Sequence, residues 1–563
     1  MGNYSEAHIC QCLSRLATAR RNSPVTITGN RLKTGEQFVD GVLGLARGLI
    51  ELGLQPGDIV AISAFNSDLY LEWLLAVAFV GGIAAPLNYR WSFEEARLAM
   101  EVVRPILLVN DVSYTSWHSK FRADSVPSMR WHVYMNSPIA YSTIGNELTT
   151  EMLKKPARRS PPFNYSWAPD GATIICFTSG TTGRPKGVAL SHSALIVQSL
   201  AKVAVVGYSE DDIYLHTAPL CHIGGLSSAI TMLMVGGCHV LTPKFEAKST
   251  LEAIEEHHVT SLITVPAMMA DIISLIRTKE AWEGFATVKK ILNGGGSLSL
   301  ELLKGATKIF PKAKILSAYG MTETCSSLTF MILYDPMSET ADQPFQATGY
   351  TKTALAHKLA GVCVGKPAPH VEIRVSVEDS SPAGPILTRG PHIMLRYWGQ
   401  TPREASCPGD ESWLETGDIG QIDDCGNVWL IGRTKGRIKS GGENVYPEEV
   451  ETVLAEHPGV AGSAVVGVPD SRLTEIVVAC IQVKGNWKWA NYTSDHSIKG
   501  DKLCLSSEVL HHFCKEKNLS GFKIPKAFIR WQKSFPLTTT GKLRREQVKR
   551  EVMSHMQLLP SCL

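Results

Sequence analysis

The sequence predicts an α/β protein, with a large N-terminal region of layered sheets and helices followed by a small α+β domain. Three observations predict it. Between about residues 24 and 330, short apolar runs alternate with helical periodicity, the pattern of helices packed on largely parallel sheets. After about residue 433 a basic, turn-forming segment, Gly432-Arg433-Thr434-Lys435-Gly436-Arg437, gives way to a compact helix–strand–strand pattern. The length, 563 residues, exceeds one core and suits about three or four units of roughly 150 residues.

The runs Ile59–Ser63, Ile106–Val109, Thr173–Phe177, Ser261–Val265 and Lys289–Leu292 read as buried strands. Asp68–Val80 and Ser249–His257 read as helices between them. The longest apolar stretch, Leu69–Pro86, is interrupted by Glu72 and Gly81-Gly82. It reads as a buried helix followed by a strand, since a membrane span needs about 18 uninterrupted residues. Past a boundary near Lys435, Pro447–His457 reads as a helix, and Ala461–Val468 and Glu475–Val483 as strands. The remaining chain, 435–563, is long enough for a modest core. Two polar stretches, 335–360 and 485–501, read as surface insertions.

A net charge of +3, with no dense Lys/Arg run beside exposed aromatics, argues against nucleic acid as a partner. The 13 cysteines are scattered without zinc-ligand spacing and read as reduced thiols. Gly2 is followed by Glu6 where a myristoylation signal wants Ser or Thr. Arg15, Arg20 and Arg21 among Ser and Ala give a weak organelle transit pattern. The last residues, Ser561-Cys562-Leu563, resemble the peroxisomal tripeptide and would address the chain to an import receptor. The expected location is the peroxisome, with the chloroplast as a second address.

The chemistry is densest after the 173–177 run. Thr178, Ser179, Gly180, Thr181, Thr182, Gly183, Arg184, Pro185, Lys186 and Gly187 put four hydroxyls, three glycines and a lysine into ten residues. Glycines let a backbone approach a polyanion, and the hydroxyls and Lys186 add donors and charge. The spacing fits neither a Walker A loop nor a GxGxxG fingerprint. The loop resembles the signature of the adenylate-forming superfamily, which includes acyl-CoA synthetases, luciferases and peptide-synthetase adenylation domains. Phe177 stands where that family usually has Tyr.

Further segments follow in the family's order. By resemblance, the loop grips the β- and γ-phosphates of ATP, and His222, in Pro219-Leu220-Cys221-His222-Ile223-Gly224-Gly225, gates the acyl pocket. Gly294, Gly295 and Gly296, after Asn293, would lie against adenine, with Gly296 where the family often has Ala. The run Ser317-Ala318-Tyr319-Gly320-Met321-Thr322-Glu323 would line the nucleotide, with Thr322 on the α-phosphate and Glu323 on Mg2+. Asp418, in Thr416-Gly417-Asp418, would accept from both ribose hydroxyls, supported by Arg433. Lys435 takes the hinge position. Lys439 follows, and Gly441 and Gly442 would line a tunnel for CoA. Lys542, in Pro536-Leu537-Thr538-Thr539-Thr540-Gly541-Lys542, would bridge the substrate carboxylate and the α-phosphate.

The resemblance implies the adenylate-forming enzyme fold. Residues 1–434 would form an AMP- and acyl-binding domain of stacked α/β sheets, and 435–563 a mobile, hinged C-terminal domain. It implies ATP and Mg2+, CoA as co-substrate, and a small carboxylic acid activated as its adenylate and passed to the thiol. The stretches Ile62–Leu75, Pro86–Trp91, Lys290–Ser299 and Thr388–Gly399 are closely similar to a plant ligase of an aromatic dicarboxylic acid. His222, Ser227, Ser228 and Asn293 are candidates for holding the second carboxylate. Ligases of 4-coumarate-like or fatty acids remain alternatives, as does a luciferase-type oxygenase. A peptide-synthetase domain would want an acidic residue near Ile223-Gly224, and a dead scaffold would have lost Glu323 or Lys542.

Overall fold

The computed structural model describes residues 7–113, 126–136, 147–154, 164–178, 185–277, 282, 284–337, 361–377, 383–400, 406–407, 410–440, 443–470, 473–490, 503–517, 519, 521–538 and 541–557. Most of the two polar insertions and the Ser561-Cys562-Leu563 tail lie outside them.

The predicted strands form where β-branched and aliphatic residues can be covered on both faces. Ile59–Ser63, Ile83–Pro86, Leu107–Asp111 and Ala172–Thr178 are neighbours in an eight-stranded sheet. Ser261–Thr264, Lys290–Asn293 and Lys314–Met321 lie side by side in a second, larger sheet. A third sheet of five strands is built entirely from residues after 437, with Val460–Asp470 paired antiparallel to Thr474–Val483. The fold is therefore mixed α/β, with a large N-terminal domain and a smaller C-terminal one.

The sheets are less uniformly parallel than expected. Strands 261–264, 290–293 and 314–321 run parallel, because a helix returns the chain between each pair. After Met321 only the short turn Thr322–Thr324 intervenes, so Ser326–Tyr334 folds back antiparallel. Ala172–Thr178 and Lys186–Ser191 are likewise antiparallel, with Thr178 opposite Lys186.

Helix boundaries follow local chemistry. Ser67 caps Asp68–Phe79 by accepting from the Tyr70 N–H, and every residue of that helix is buried. Its two buried carboxylates are neutralised locally: Lys33 reaches both Asp68 and Glu72, and Lys154 reaches Glu72 at 2.9 Å. Ser191 caps His192–Val206, which stops at Gly207 with φ +81°. The eleven cysteines whose side chains are described are free thiols. No helix among them is long and apolar enough to cross a membrane.

One backbone contact fixes the register of the Lys314–Met321 strand. The pairing slips between Tyr319 and Gly320, and a Cβ on Gly320 would stand 1.6 Å from the Ser326 carbonyl oxygen. Gly320→Ala should destabilise the protein by about 1–3 kcal/mol, the cost of overpacking. Urea unfolding measures this, and an unchanged midpoint would refute it.

Buried imidazoles add a pH dependence. His8 stacks on His192 at 3.9 Å between centroids, and His216 bonds His239 at 2.9 Å. Burial, and for His192 also its neighbour His8, lowers His8 to about 4 and His192 to about 3. Burial lowers His239 to about 3, and burial with His239 lowers His216 as well. Unfolded imidazoles protonate near 6.5, whereas these stay neutral until far more acid pH. The unfolded chain therefore binds more protons as pH falls below about 6.5, and stability is lost across that window. The expected slope is up to about 1.4 kcal/mol per pH unit for each histidine. Equal urea midpoints at pH 7 and pH 5 would contradict it.

Candidate active site

The nucleotide motifs converge on the C-terminal ends of the parallel strands, where open α/β sheets place ligands. Asn293 and Ser317 are register neighbours at those ends. Gly294 has no atom within 4 Å of where its Cβ would be. Gly295 takes φ +71°, so the chain turns sharply away from the strand. The three glycines leave a smooth, open edge beside Ser317-Ala318-Tyr319.

Asp418 is the hub. It is 7% exposed and accepts from Tyr319 Oη at 2.7 Å through Oδ2. Arg433 Nε lies 3.0 Å from Oδ1. Antiparallel pairing puts Asp418 directly opposite Arg433, so the ion pair is set by backbone register. Burial and then the Asp418 charge push the Tyr319 phenol well above its ordinary value, so it stays a donor. Gly432 packs against Tyr446, whose ring would be struck by any Cβ there.

Glu323 lies in the Thr322–Thr324 turn and is 8% exposed. Its Oε1 accepts from Tyr397 Oη at 2.9 Å. Lys186 stands 5.0 Å from the centre of the Tyr397 ring. Tyr397 reaches this place because Arg396–Tyr397 pairs with the strand that begins at Lys186. One aromatic ring thus spaces the phosphate-loop lysine from the carboxylate. Gln198, on the His192–Val206 helix, holds the turn from behind by donating to the carbonyls of Thr324 and Ser327 at 3.1 and 2.6 Å.

Lys542 comes from the far end of the chain to the same cleft. A tight turn presents it: Thr538 N–H donates to the Lys542 carbonyl at 2.7 Å, and Gly541 takes φ +79°. The side chain keeps solvent contact but is crowded by the cleft walls. That desolvation, followed by the Arg433 charge, lowers its ammonium below the usual lysine value, while Glu323 and Asp418 oppose the shift. His222 caps the helix Ile223–Val235 and lies near Asn88 Nδ2, at 3.5 Å. Burial first, then Arg90 and Lys542, lower His222 to about 4, so it is neutral at pH 7.

The structure thus brings Thr322, Glu323, Asp418, Arg433, His222, Lys186 and Lys542 around one cleft. Ser179, Gly180, Thr181, Thr182 and Gly183, with Gly441 and Gly442, lie outside the described residues, as do the side chains of Lys435 and Lys439. Ser227 and Ser228 lie together on the His222 helix, whereas Asn293 donates to the Gly296 carbonyl at 2.7 Å and shapes the glycine turn. Sequence reading missed Tyr397, Gln198 and Arg90. Tyr397 and Arg90 stand within stretches singled out only for overall similarity, and Gln198 has no motif around it.

Two family descriptions match the chain: the AMP-binding enzyme over residues 13–398 and the AMP-binding enzyme C-terminal domain over residues 449–542. The chain is 57% identical over 573 residues to the chloroplastic/peroxisomal 2-succinylbenzoate–CoA ligase of Arabidopsis thaliana, covering 100% of both. It is similar to the o-succinylbenzoate CoA synthetase of Bacillus subtilis in complex with the acyl-adenylate OSB-AMP (TM-score 0.73, 26% identity, 97% of this chain and 98% of that one). The same bacterial enzyme with ATP and a magnesium ion matches at TM-score 0.74 and 26% identity, over 97% of this chain and 99% of that one. With its fold, its motif order and these likenesses in agreement, the chain belongs to the AMP-binding enzyme family.

Proposed function

We propose that this chain is a 2-succinylbenzoate–CoA ligase. It uses ATP to make the acyl-adenylate of 2-succinylbenzoate, then transfers the acyl group to CoA, releasing AMP and pyrophosphate. The observation that carries the reading is 57% identity along the full length of the plant 2-succinylbenzoate–CoA ligase. The product would serve phylloquinone biosynthesis, in the peroxisome through Ser561-Cys562-Leu563 and also in the chloroplast.

The chemistry follows from the cleft. A carboxylate is a poor acyl donor because oxide leaves badly. Its oxygen attacks the ATP α-phosphorus, the bond to the bridging oxygen breaks, and pyrophosphate leaves. Lys542 donates to the carboxylate and to the α-phosphate, where negative charge gathers. Thr322 donates to the same phosphate. The hydroxyls of Thr178, Ser179, Thr181 and Thr182, with Lys186, hold the departing pyrophosphate. Asp418 accepts from the ribose hydroxyls, and Arg433 and Tyr319 hold its carboxylate in place. The 294–296 turn and the 317–321 strand flank the base.

Glu323 fits the role of a magnesium ligand. It offers one carboxylate oxygen with no partner among the described residues, and no cluster of three His, Cys, Asp or Glu stands near to form a protein-only cage. A single carboxylate plus phosphate oxygens suits Mg2+, which keeps most of its coordination for water and substrate. The ion would neutralise phosphate charge. Neutral His222 borders the acid and adds no repulsive charge next to Lys542.

In the second step the CoA thiolate attacks the acyl carbon and AMP leaves. Domain rotation at Lys435 would withdraw Lys542 and bring Lys439, Gly441 and Gly442 to the tunnel for the pantetheine arm. The proposed boundary at 434/435 is supported by the five-stranded sheet, whose first strand in the chain is Ile438–Ser440.

Lys542→Ala should lower adenylate formation at least about 100-fold, since it removes a charge used at the transition state. It should spare CoA transfer to preformed adenylate. Pyrophosphate release and thioester formation, measured separately, test this, and equal loss in both would count against it. With a panel of acids, AMP release should be fastest with 2-succinylbenzoate. Faster turnover of 4-coumarate or a fatty acid would replace the proposed substrate.

A further inference from the structure

The His192–Val206 helix carries a second polar residue that the chemistry above does not use. Lys202 lies one turn beyond Gln198, on the same face, and is completely buried. Its ammonium donates to Ser227 Oγ at 2.5 Å and Ser228 Oγ at 3.2 Å. A lysine ammonium has three N–H donors, so two hydroxyls leave one unused. Among the described residues no carboxylate pairs with it, whereas the buried carboxylates of Asp68, Glu72 and Asp212 each face a cation. A buried cation without a counter-charge is costly, and the cost is relieved either by loss of the proton or by an anion brought beside it.

Ser227 and Ser228 occupy the second turn of the helix capped by His222, which borders Lys542. Ser228 lies six positions beyond His222, roughly 9 Å along the helix axis. Ser228 donates back to the Gly224 carbonyl at 2.9 Å. A Cβ on Gly224 would meet only Ile263, at 3.8 Å, so the helix has free space there. Gly225, by contrast, packs directly on the Pro219 carbonyl. Gly224, one turn before Ser228, and the two serines thus connect His222 at the start of the helix with Lys202 behind it. Burial lowers this ammonium to about 7, against a smaller opposing pull from Cys325. An arriving carboxylate would hold the proton on it.

We propose that Lys202, with the hydroxyls of Ser227 and Ser228 in front of it, receives the second carboxylate of the acid substrate. The inference rests on the reading of the chain as a ligase of a dicarboxylic acid and names the charge that selects it. The acid is gripped at both ends: one carboxylate at Lys542, where the chemistry occurs, the other at Lys202. Ser227 accepts from Lys202 and can turn its own O–H toward the substrate, and Ser228 lines the space beside Gly224. A monocarboxylic acid of the same size would leave Lys202 unbalanced and bind less well.

The test is a specificity ratio. kcat/KM is measured for 2-succinylbenzoate and for its two monocarboxylic analogues, 4-oxo-4-phenylbutanoate and 2-butanoylbenzoate, each lacking one carboxylate. Wild-type turnover of 2-succinylbenzoate checks the underlying reading independently. Lys202→Met, which keeps length and suits a buried position, should lower kcat/KM for the diacid roughly 10- to 100-fold more than for whichever analogue is turned over. The loss should fall on KM for the acid, with KM for ATP unchanged. Ser228→Ala should shift the same ratio in the same direction, and it decides the matter should Lys202→Met fail to fold. Equal losses on diacid and analogue, or an unchanged ratio in folded protein, would overturn the proposal even where the wild type proves to be a 2-succinylbenzoate ligase.

Discussion

The Asp418 carboxylate is the constraint on which the rest of the site depends. It is nearly buried, and its position is set by strand register opposite Arg433. Through Oδ2 it ties down Tyr319, on a strand of the parallel sheet. Its field also reaches Lys542, more than a hundred residues later. Three segments distant in sequence are thereby indexed to one pair of oxygens. Were that carboxylate displaced, the strand end at Tyr319, the strand end at Arg433 and Lys542 would lose their common reference. Catalysis by positioning demands such a fixed point, because a misplacement of about 1 Å can cost a hundredfold in rate.

Much of this was legible in the sequence, for particular reasons. The strand at Ile59–Ser63 and the helix from Asp68 are strongly patterned and locally capped, so they form where the pattern puts them. Asp418, Arg433, Glu323 and Lys542 stand in segments rich in Gly, Thr and charge that have no packing reason to exist. The antiparallel turn after Met321 was not legible, because a strand records its own burial and says little about its neighbour's direction. Tyr397, Gln198 and Lys202 were hidden for another reason. Each acts through a tertiary contact: an aromatic on an edge strand, an amide on a helix, a lysine bonded to serines of the neighbouring helix. In one dimension they look like ordinary core or surface residues.

The site is divided electrostatically. Around the nucleotide, charges are paired and partly solvated: Asp418 with Arg433, Glu323 with the Tyr397 hydroxyl. Around the acid, the polar groups are deeply buried, and His222 is held neutral. The first environment suits a highly charged ligand that must enter and leave within each turnover. The second suits a small aromatic acid held firmly at defined points. One helix, from His192 to Val206, serves both halves, with Gln198 bracing the turn that carries Glu323 and Lys202 backing the acid wall.

Gly320 and Gly224 stand on opposite sides of that division and have opposite surroundings. At Gly320 the opposing backbone leaves no volume for any side chain. At Gly224 the nearest atom, on Ile263, is an ordinary van der Waals contact away. Mutation can therefore explore new shapes on the acid side while the nucleotide side is barred from drifting. A lineage built on this plan can exchange one acid for another through a few substitutions along a single helix and keep its way of splitting ATP, so that the energy-coupling half is inherited and the selective half is free to diversify.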